Sequence, residues 1–422
     1  MKKEQKLYIT YVVIISTMIL GSILIRAATT AITWDEAYTY VAYAKNFNIN
    51  QLIDIRSNLA NNHILNTILI AILDGICNLP YNEFIIRLPN ILMCIFYLFG
   101  SYLVSKEQKY KYLMFAGLTL NYYVIEFFGL GRGYGIATAF IIYMCYFLKK
   151  ATENEYKNEY ILLSGVFGLL ACYANTTSLI GLFSICIIYL VDLIKKKKLY
   201  GFIKKNIIGL IPMIVLLIYI IIFHFTVTGG DKPVFGETNI IGFLENNFIW
   251  MFLENKIANI VLSIIAFTII VISIIVYRNK IWDKKCFISL TIIILTLILP
   301  SLILGKPFPT GRCLIPLWPI VVLGMLEIYS LWMEKINDRI ANVLSILCTI
   351  VLITLFIYRI DLTKTRTWAN NYVVRDVLYQ ALAEHRVLTD EEYEMNKGFF
   401  GITFYRNKIL EKYNFDVLQK NK

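Results

Sequence analysis

Charged residues are scarce in this sequence. They make up 17% of its 422 residues, whereas 58% are hydrophobic, and the mean hydropathy is +0.62. Such a composition excludes an ordinary soluble protein and is typical of an integral membrane protein. Apolar runs of roughly 20 residues, enough to span the hydrocarbon core as a helix, recur from residue 7 to residue 358. Because these runs are too long and too uniformly apolar for barrel strands, the sequence predicts an all-α polytopic membrane protein.

Several common site motifs are missing. The eight cysteines are scattered and none has metal-ligand spacing, which excludes a zinc site and a disulfide framework. The glycine-rich string GLGRGYG at residues 129–135 is neither GxGxxG nor a P-loop, and it follows an apolar run instead of a strand. We detect no internal repeat of the kind on which many transporters are built.

The N-terminus has no cleavage site for a signal peptidase. The first apolar run, Leu7 to Ile25, follows MKKEQK and is longer than the apolar h-region of a typical signal peptide, which predicts an uncleaved anchor with a cytoplasmic N-terminus. Lysines cluster in short loops, above all at residues 195–198 and 278–285. The net charge of +12 therefore indicates positive-inside topology in the cell membrane, and we expect no nucleic-acid partner.

The lysine-rich loops also order the chain. They place residues 226–256 outside, and the N-terminal anchor places residues 26–62 there too. Residues 1–358 form the predicted transmembrane domain, with about 11–13 crossing helices and external juxtamembrane helices. Residues 359–422 are predicted to be a small soluble extracytoplasmic region, too short to own much of a core.

Four apolar segments lie between residues 64 and 149. If all four crossed the membrane, the lysine-containing loop after residue 149 would lie outside, against the positive-inside rule. We therefore expect the short, polar segment 64–79 not to cross. In the C-terminal region, helical spacing predicts one helix and a T-x-x-E capping box predicts the start of another. The helix pattern is formed by Val374, Val377, Leu378 and Ala381, and the capping box by Thr389 and Glu392.

An acidic pair follows the first apolar run, in TWDEAYTYVAYAKNF at residues 33–47. Thr33 and Glu36 have the spacing of a capping box, so a helix is expected to start here with Asp35 in its first turn. Two interpretations follow from the local pattern. The carboxylates either only start a helix, or they form a reactive pair at the membrane surface.

Ionisable groups at membrane depth are candidates for function because their burial is costly. EFFGLGRGYG places Glu126 and Arg132 around a glycine-rich break, which predicts a turn that lets both side chains face one cavity. Arg312 lies in GKPFPTGRCLIPLWP, an external loop entering a span. Its guanidinium fork suits a phosphate at headgroup depth, and a lipid headgroup is the alternative ligand.

In their order along the chain, four segments resemble the GT-C superfamily of membrane glycosyltransferases. The nearest likeness is to its family-39-like bacterial branch, related to protein O-mannosyltransferases and aminoarabinose transferases. The segments are WDEAY with Asp35 and Glu36, IIRLPN with Arg87, EFFGLGRGYG with Glu126, Arg132 and Tyr134, and TGRCLIPLWP with Arg312. The chain departs from the family pattern at NNHILN, where only His63 carries over.

The resemblance implies a GT-C-like helical bundle and a reaction. A sugar would move, with inversion, from a polyprenyl-phosphate-linked donor in the membrane lipid to a hydroxyl of a glycan, lipid or protein acceptor on the outer side. Its implied catalytic residues are Asp35, as general base, and Glu36. Implied ligands of the donor phosphate are Arg312, Arg132 and His63, and the implied orienting residues are Glu126, Tyr134 and Arg87. Glu126 would orient the acceptor or the sugar, or neutralise Arg132. A divalent cation, Mg²⁺ or Mn²⁺, at Asp35, Glu36 and Glu126 stays open.

Two other functions remain alternatives at this point. A transporter or flippase for a lipid-linked sugar would also line a polar cavity with charges. Against it, the charged candidates lie at the outer edge and not at mid-membrane. An O-antigen-type polymerase or ligase would use arginines and a large external loop, whereas an acidic pair leads here.

Overall fold

The computed structural model describes residues 3–48, 62–78, 80–228, 236–252, 255–305, 307–368, 371–396 and 398–418. Parts of both expected outer loops lie outside these residues, namely 49–61, 229–235, 253 and 254. The described chain is helical and contains no strand. Its one β-type contact is an isolated antiparallel bridge between Glu237 and Phe308.

The helices of the described residues are numbered here in chain order. The first nine are α1 (Lys3–Thr29), α2 (Trp34–Thr39), α3 (Ile64–Cys77), α4 (Glu83–Ser105), α5 (Lys111–Thr119), α6 (Tyr122–Glu126), α7 (Gly133–Glu153), α8 (Asn158–Ala174) and α9 (Ser178–Lys195). The rest are α10 (Leu199–Thr228), α11 (Ile240–Glu245), α12 (Lys256–Val276), α13 (Lys285–Leu304), α14 (Trp318–Met333), α15 (Asp338–Arg359), α16 (Asn371–Ala383), α17 (Asp390–Asn396) and α18 (Gly401–Tyr413). A π-helical turn at Tyr40–Ala44 extends α2, and 3-10 turns lie at Phe127–Gly129, Phe248–Met251, Ile281–Asp283 and Gly311–Leu317.

Eight of the described helices are long and apolar enough to cross a membrane, and α6 with α7 would make a ninth as one bent span. The eight are α1, α4, α9, α10, α12, α13, α15, and α14 with the 3-10 turn before it. This confirms the all-α polytopic membrane class. The expected 11–13 crossings therefore depend on shorter helices such as α8. Helix α3 has 14 residues, about 21 Å at about 1.5 Å per residue, against a hydrocarbon core of about 30 Å.

Polar contacts gather the lysine-rich loops at one end of the bundle. Four ion pairs join these loops: Lys109–Asp338 at 2.7 Å, Lys149–Glu107 at 3.3 Å, Lys280–Glu334 at 2.7 Å and Lys285–Asp192 at 2.7 Å. The charged candidates from the sequence collect around the end of α1, the start of α2 and the loops before α7 and α14. The candidate site and the lysine-rich loops thus lie at opposite ends of the same helices.

The C-terminal region shares its core with the segment that carries the acidic pair. The predicted helix pattern is α16, and the Thr389–Glu392 capping box starts α17, so both expectations are confirmed. Residues of α16 and α18 pack against residues 32–44, and the ring of Phe404 contacts those of Tyr40 and Tyr81. The Tyr405 hydroxyl accepts the Ile32 N–H at 2.8 Å. A region too short for its own core is therefore stabilised by docking onto α2.

Candidate active site

The acidic pair begins a short helix, as the capping box predicts. The Thr33 hydroxyl accepts the Glu36 N–H at 3.2 Å, and the Glu36 carboxylate accepts the Thr33 N–H at 2.8 Å. This reciprocal cap fixes the start of α2 at Trp34. Both acids are nevertheless buried, Asp35 to 4% and Glu36 to 0% exposure. A cap needs no such burial, so the helix start does not account for the pair completely.

Arg87 holds Glu36 in a two-pronged ion pair. Its Nε lies 2.8 Å from Oε1 and its Nη2 lies 2.9 Å from Oε2. The same two oxygens also accept the Gly131 N–H at 2.6 Å and the Thr33 N–H at 2.8 Å. Arg87 further donates to the carbonyl oxygens of residues 27, 30 and 31 at the end of α1. The pair therefore ties α1, α2, α4 and the glycine-rich loop together.

The charge state of Glu36 follows from these contacts. Burial alone raises the pKa of its carboxyl, but the charge and hydrogen bonds of Arg87, with the N–H groups of Gly131 and Thr33, outweigh burial. The net pKa lies below its ordinary value, so Glu36 is ionised. Because it accepts hydrogen bonds from Arg87 and from two backbone N–H groups, it is suited to hold the site in shape.

Asp35 faces two different arginines. Its Oδ2 lies 2.7 Å from Nη1 of Arg312 and 3.8 Å from Nη2 of Arg132. Arg132 also donates to the Thr39 hydroxyl at 2.8 Å and to the Asp35 carbonyl oxygen at 3.2 Å, which hold it against α2. The Arg312 guanidinium lies over the ring of Trp368, 5.0 Å from its centre. The structure thus brings together Asp35, Arg132 and Arg312, which are far apart in sequence.

The glycine-rich break makes this arrangement sterically feasible. The predicted turn is present, because the chain bends by 117° between residues 122–129 and α7. Gly133 at the start of α7 lies so close to α8 that a Cβ there would sit 2.1 Å from the Ala174 carbonyl oxygen. At Gly131, a Cβ would lie 2.7 Å from a methyl group of Ile86. Only glycine lets the loop approach both neighbours and present Arg132 to α2.

Glu126 has a different cation from the one suggested by the sequence. Its Oε1 lies 3.1 Å from Nη2 of Arg26 and accepts the Arg366 N–H at 2.8 Å. The hypothesis that Glu126 neutralises Arg132 is replaced by this pair. The bend carries Arg132 towards α2, while α6 leaves Glu126 beside α1. Arg26 also donates to the carbonyl oxygens of Asp361 and Lys364, so the pair anchors the start of the C-terminal region.

His63 lies at the start of α3 beside the arginine pair. Its Nδ1 lies 3.1 Å from the Ala174 carbonyl oxygen, and we place the ring proton on Nδ1, which then donates to that oxygen. The centre of the His63 ring lies 4.8 Å from that of Tyr134. Burial, with the charges of Arg132 and Arg312, holds the pKa of His63 well below its usual value. Its buried Nε2 has no hydrogen-bond partner within the described residues. Neutral His63 therefore offers a ligand a hydrogen-bond acceptor and not a positive charge.

Sequence reasoning missed three buried polar side chains of this site. Asn66 donates to the Gly131 carbonyl oxygen at 2.9 Å, and Asn90 donates to the Asn66 side chain at 2.8 Å. The third is Arg26, the partner of Glu126. Its position, the one charge at the end of the first apolar run, is the signal that could have found it.

The loop between α10 and α12 packs on the segment that carries Arg312. Glu237 and Phe308 exchange backbone hydrogen bonds at 3.0 and 2.8 Å, and the Gly311 N–H donates to the Asn246 carbonyl oxygen at 2.9 Å. The described part of this loop contains two short helical pieces, α11 and the 3-10 turn Phe248–Met251. This loop supports the position of Arg312.

The carboxylates do not converge as metal ligands do. Glu36 is held by Arg87 and Glu126 by Arg26, and Asp35 faces two further arginines. Within the described residues, no three His, Cys, Asp or Glu side chains form a group that could hold a metal ion. The donor set of Asp35, Glu36 and Glu126 thus does not fit a shared divalent cation, and no chemistry is routed through one below.

The ion pairs described above join Arg26 to Glu126, Arg87 to Glu36, and both Arg132 and Arg312 to Asp35. Two guanidinium groups that face the same point beside Asp35 suit an anion such as a phosphate. A comparison with known protein families finds no match, and no curated protein is similar in sequence.

Proposed function

We propose that this chain is a membrane glycosyltransferase of the GT-C type. It transfers a sugar from a polyprenyl-phosphate-linked donor to an acceptor hydroxyl on the extracytoplasmic side. The observation that carries the proposal is the position of the buried Asp35 carboxylate, which lies 2.7 Å from Arg312 and 3.8 Å from Arg132. A base beside two phosphate-binding cations is what displacement of a lipid phosphate requires.

The reaction is a single displacement in this proposal. Asp35 takes the proton of the acceptor hydroxyl while that oxygen forms a bond to the anomeric carbon of the donor sugar. The bond from the anomeric carbon to the phosphate oxygen breaks, and its electron pair leaves with the polyprenyl phosphate. Arg312 and Arg132 stabilise the negative charge that develops on this leaving group. Attack opposite to the leaving group inverts the anomeric centre.

The other charged residues hold the geometry. Glu36 and Arg87 fix the start of α2, so they set the direction in which Asp35 faces. Glu126 and Arg26 tie α6 to the first residues of the C-terminal region, which places Trp368 against Arg312. Neutral His63, with Tyr134 beside it, accepts a hydrogen bond from a sugar hydroxyl in this assignment. These roles replace direct phosphate contact for His63.

The membrane topology proposed here puts the site outside. Eleven crossings result if α3 does not cross while the eight long helices, α7, α8 and the pair α5 with α6 do. All lysine-rich loops then lie in the cytoplasm, in agreement with the positive-inside rule. The candidate site, at the opposite end of the bundle, lies at the outer surface, where a lipid-linked donor is presented.

The test is transfer of radiolabelled sugar from a panel of synthetic polyprenyl-phosphate sugars by the purified protein, with membrane extract as acceptor. We expect Asp35→Asn to lower transfer by at least about 100-fold, the scale of general-base catalysis. Donor binding should persist, because Arg312 and Arg132 remain. Asp376→Asn is the matched control, since Asp376 is an exposed acid of the C-terminal region paired with its neighbour Arg375. It should leave transfer unchanged.

One outcome would favour a transporter instead. If a donor of the panel binds but is not consumed, and wild type and Asp35→Asn move it across liposomes at equal rates, the enzyme proposal falls. Label that moves to acceptor at equal rates with both proteins would keep an enzyme but remove Asp35 as its base.

A further inference from the structure

A long apolar groove runs between α1 and α4, near the lysine-rich end of the bundle and away from the candidate active site. Its cavity has a volume of about 390 Å³, within the range of ligand pockets. The lining side chains are Ile9, Val12, Ser16, Leu20, Ile95, Leu98, Phe99 and Tyr102. Ile95 and Phe99 are about half exposed on the apolar surface of the bundle, so the groove faces the acyl chains of the surrounding lipid.

A polar cavity of about 310 Å³ adjoins this groove at Tyr102, which lines both. It is formed by Gln5, Tyr8, Tyr102, Lys106, Glu107 and Lys111. The Tyr8 hydroxyl bonds to the Ser105 hydroxyl at 2.6 Å, and the Tyr8 and Tyr102 rings lie 6.1 Å apart. Tyrosines at the border between apolar and polar side chains are typical of the level of lipid headgroups.

The charge of this polar cavity is positive. Its one acid, Glu107, already faces Lys149 at 3.3 Å and Lys150 at 3.4 Å. Lys111 contacts the largely exposed Glu4, a pair that solvent screens strongly. Lys106 lies over the Tyr102 ring and forms no ion pair with a described carboxylate. The Lys106 ammonium group is therefore available to an anion at the mouth of the groove, and Lys111 can exchange its screened contact with Glu4 for the same anion.

We propose that this composite cavity binds a phospholipid with an anionic headgroup, from the leaflet at the lysine-rich end. One acyl chain lies in the groove between α1 and α4, and the phosphate lies between Lys106 and Lys111 with the Gln5 amide beside it. The apolar groove alone would accept any lipid chain, and the lysines alone would attract any anion. Their continuity through Tyr102 selects a molecule with both features. This site is independent of the sugar transfer proposed above.

The experiment is native mass spectrometry of the full-length protein released from bilayers of equal phosphatidylglycerol and phosphatidylcholine. The wild type is expected to retain phosphatidylglycerol preferentially. Lys106→Gln with Lys111→Gln should lower this preference by about 25-fold, since each lysine near an anionic headgroup contributes about fivefold. Ser16→Trp should lower retention of the lipid by filling the groove.

Two matched variants make the test decisive. Lys157→Gln removes an exposed lysine at the same end but away from the cavity, and Thr17→Trp adds the same ring one residue along α1 on its exposed side. Neither should alter retention. The proposal is overturned if Lys157→Gln lowers the preference by about fivefold, the effect expected of one cavity lysine, because the attraction would then be diffuse. It is also overturned if the double variant retains phosphatidylglycerol fully. The lysine variants leave the groove intact, so they decide the outcome even where Ser16→Trp does not fold.

Discussion

Replacing Glu36 by glutamine should destabilise the protein far more than the loss of one oxygen suggests. Each Glu36 oxygen accepts one N–H of Arg87 and one backbone N–H, from Gly131 or Thr33. A glutamine NH₂ group would therefore face two donors in either orientation of the amide. Arg87, at 0% exposure, would also lose its counter-charge. Breaking a buried ion pair on one side typically costs about 3–5 kcal/mol, and we expect a loss in this range.

The assay is the thermal midpoint of unfolding in one detergent, compared over four proteins. Glu384→Gln serves as control, because it removes one partner of an exposed pair in the C-terminal region and should change little. The double variant Glu36→Gln with Arg87→Met should be more stable than Glu36→Gln alone, since no uncompensated buried charge remains. If Glu36→Gln and Glu384→Gln have equal thermal midpoints, or if the double variant is no more stable than Glu36→Gln, the assignment of Glu36 as the ion-paired centre of the site is refuted.

Three further predictions concern stability. The pKa of His63 in the folded protein lies below its unfolded value near 6.5, so the unfolded chain binds more protons at acid pH. The stability of the protein should therefore fall as the pH drops below about 6.5. Thermal midpoints at pH 7.5 and 5.5 measure this fall, which should be smaller in His63→Gln. Gly133→Ala should lower the stability of the protein by about 1–3 kcal/mol or more, because the new Cβ would meet a backbone oxygen. Gly21→Ala is the control, since Gly21 has open space around it and the substitution should be neutral or stabilising. Equal thermal midpoints of the two variants would contradict this prediction. Phe404→Ala should cost about 3–5 kcal/mol and loosen the C-terminal region to limited proteolysis, which the partly exposed Phe399→Ala should not do.

Local signals in the sequence predicted local structure well. Thr33 and Glu36 predicted the start of α2 because both partners of a capping box lie within one helical turn. The glycines after Glu126 predicted a break for a similar reason, since each glycine widens the range of backbone conformations at its own position. The class of the fold followed from apolar runs whose length is set by the membrane and not by any contact within the chain.

The pairing of charges could not be predicted in the same way. Glu36 and Arg87 are separated by 51 residues, and Asp35 and Arg312 by 277. Which arginine meets which acid depends on how the helices pack, and the sequence pattern suggested Arg132 for Glu126 because the two are neighbours in the chain. The packing of the C-terminal region on α2 could not be predicted for the same reason. The apolar residues of this region have helical spacing, but their local sequence does not indicate which surface they cover.

The contacts of Asp35 imply an order of events in the proposed reaction. In the structure Oδ2 of Asp35 is paired with Arg312, so the proposed base and the proposed phosphate ligand are bound to each other. An acceptor hydroxyl that approached first would compete with this charge-assisted hydrogen bond and would find Asp35 poorly placed to take its proton. A donor phosphate, in contrast, brings more charge to the arginines than one carboxylate does, and can draw Arg312 away. Donor binding therefore releases Asp35 for the acceptor, so the base is exposed only when there is a sugar to transfer.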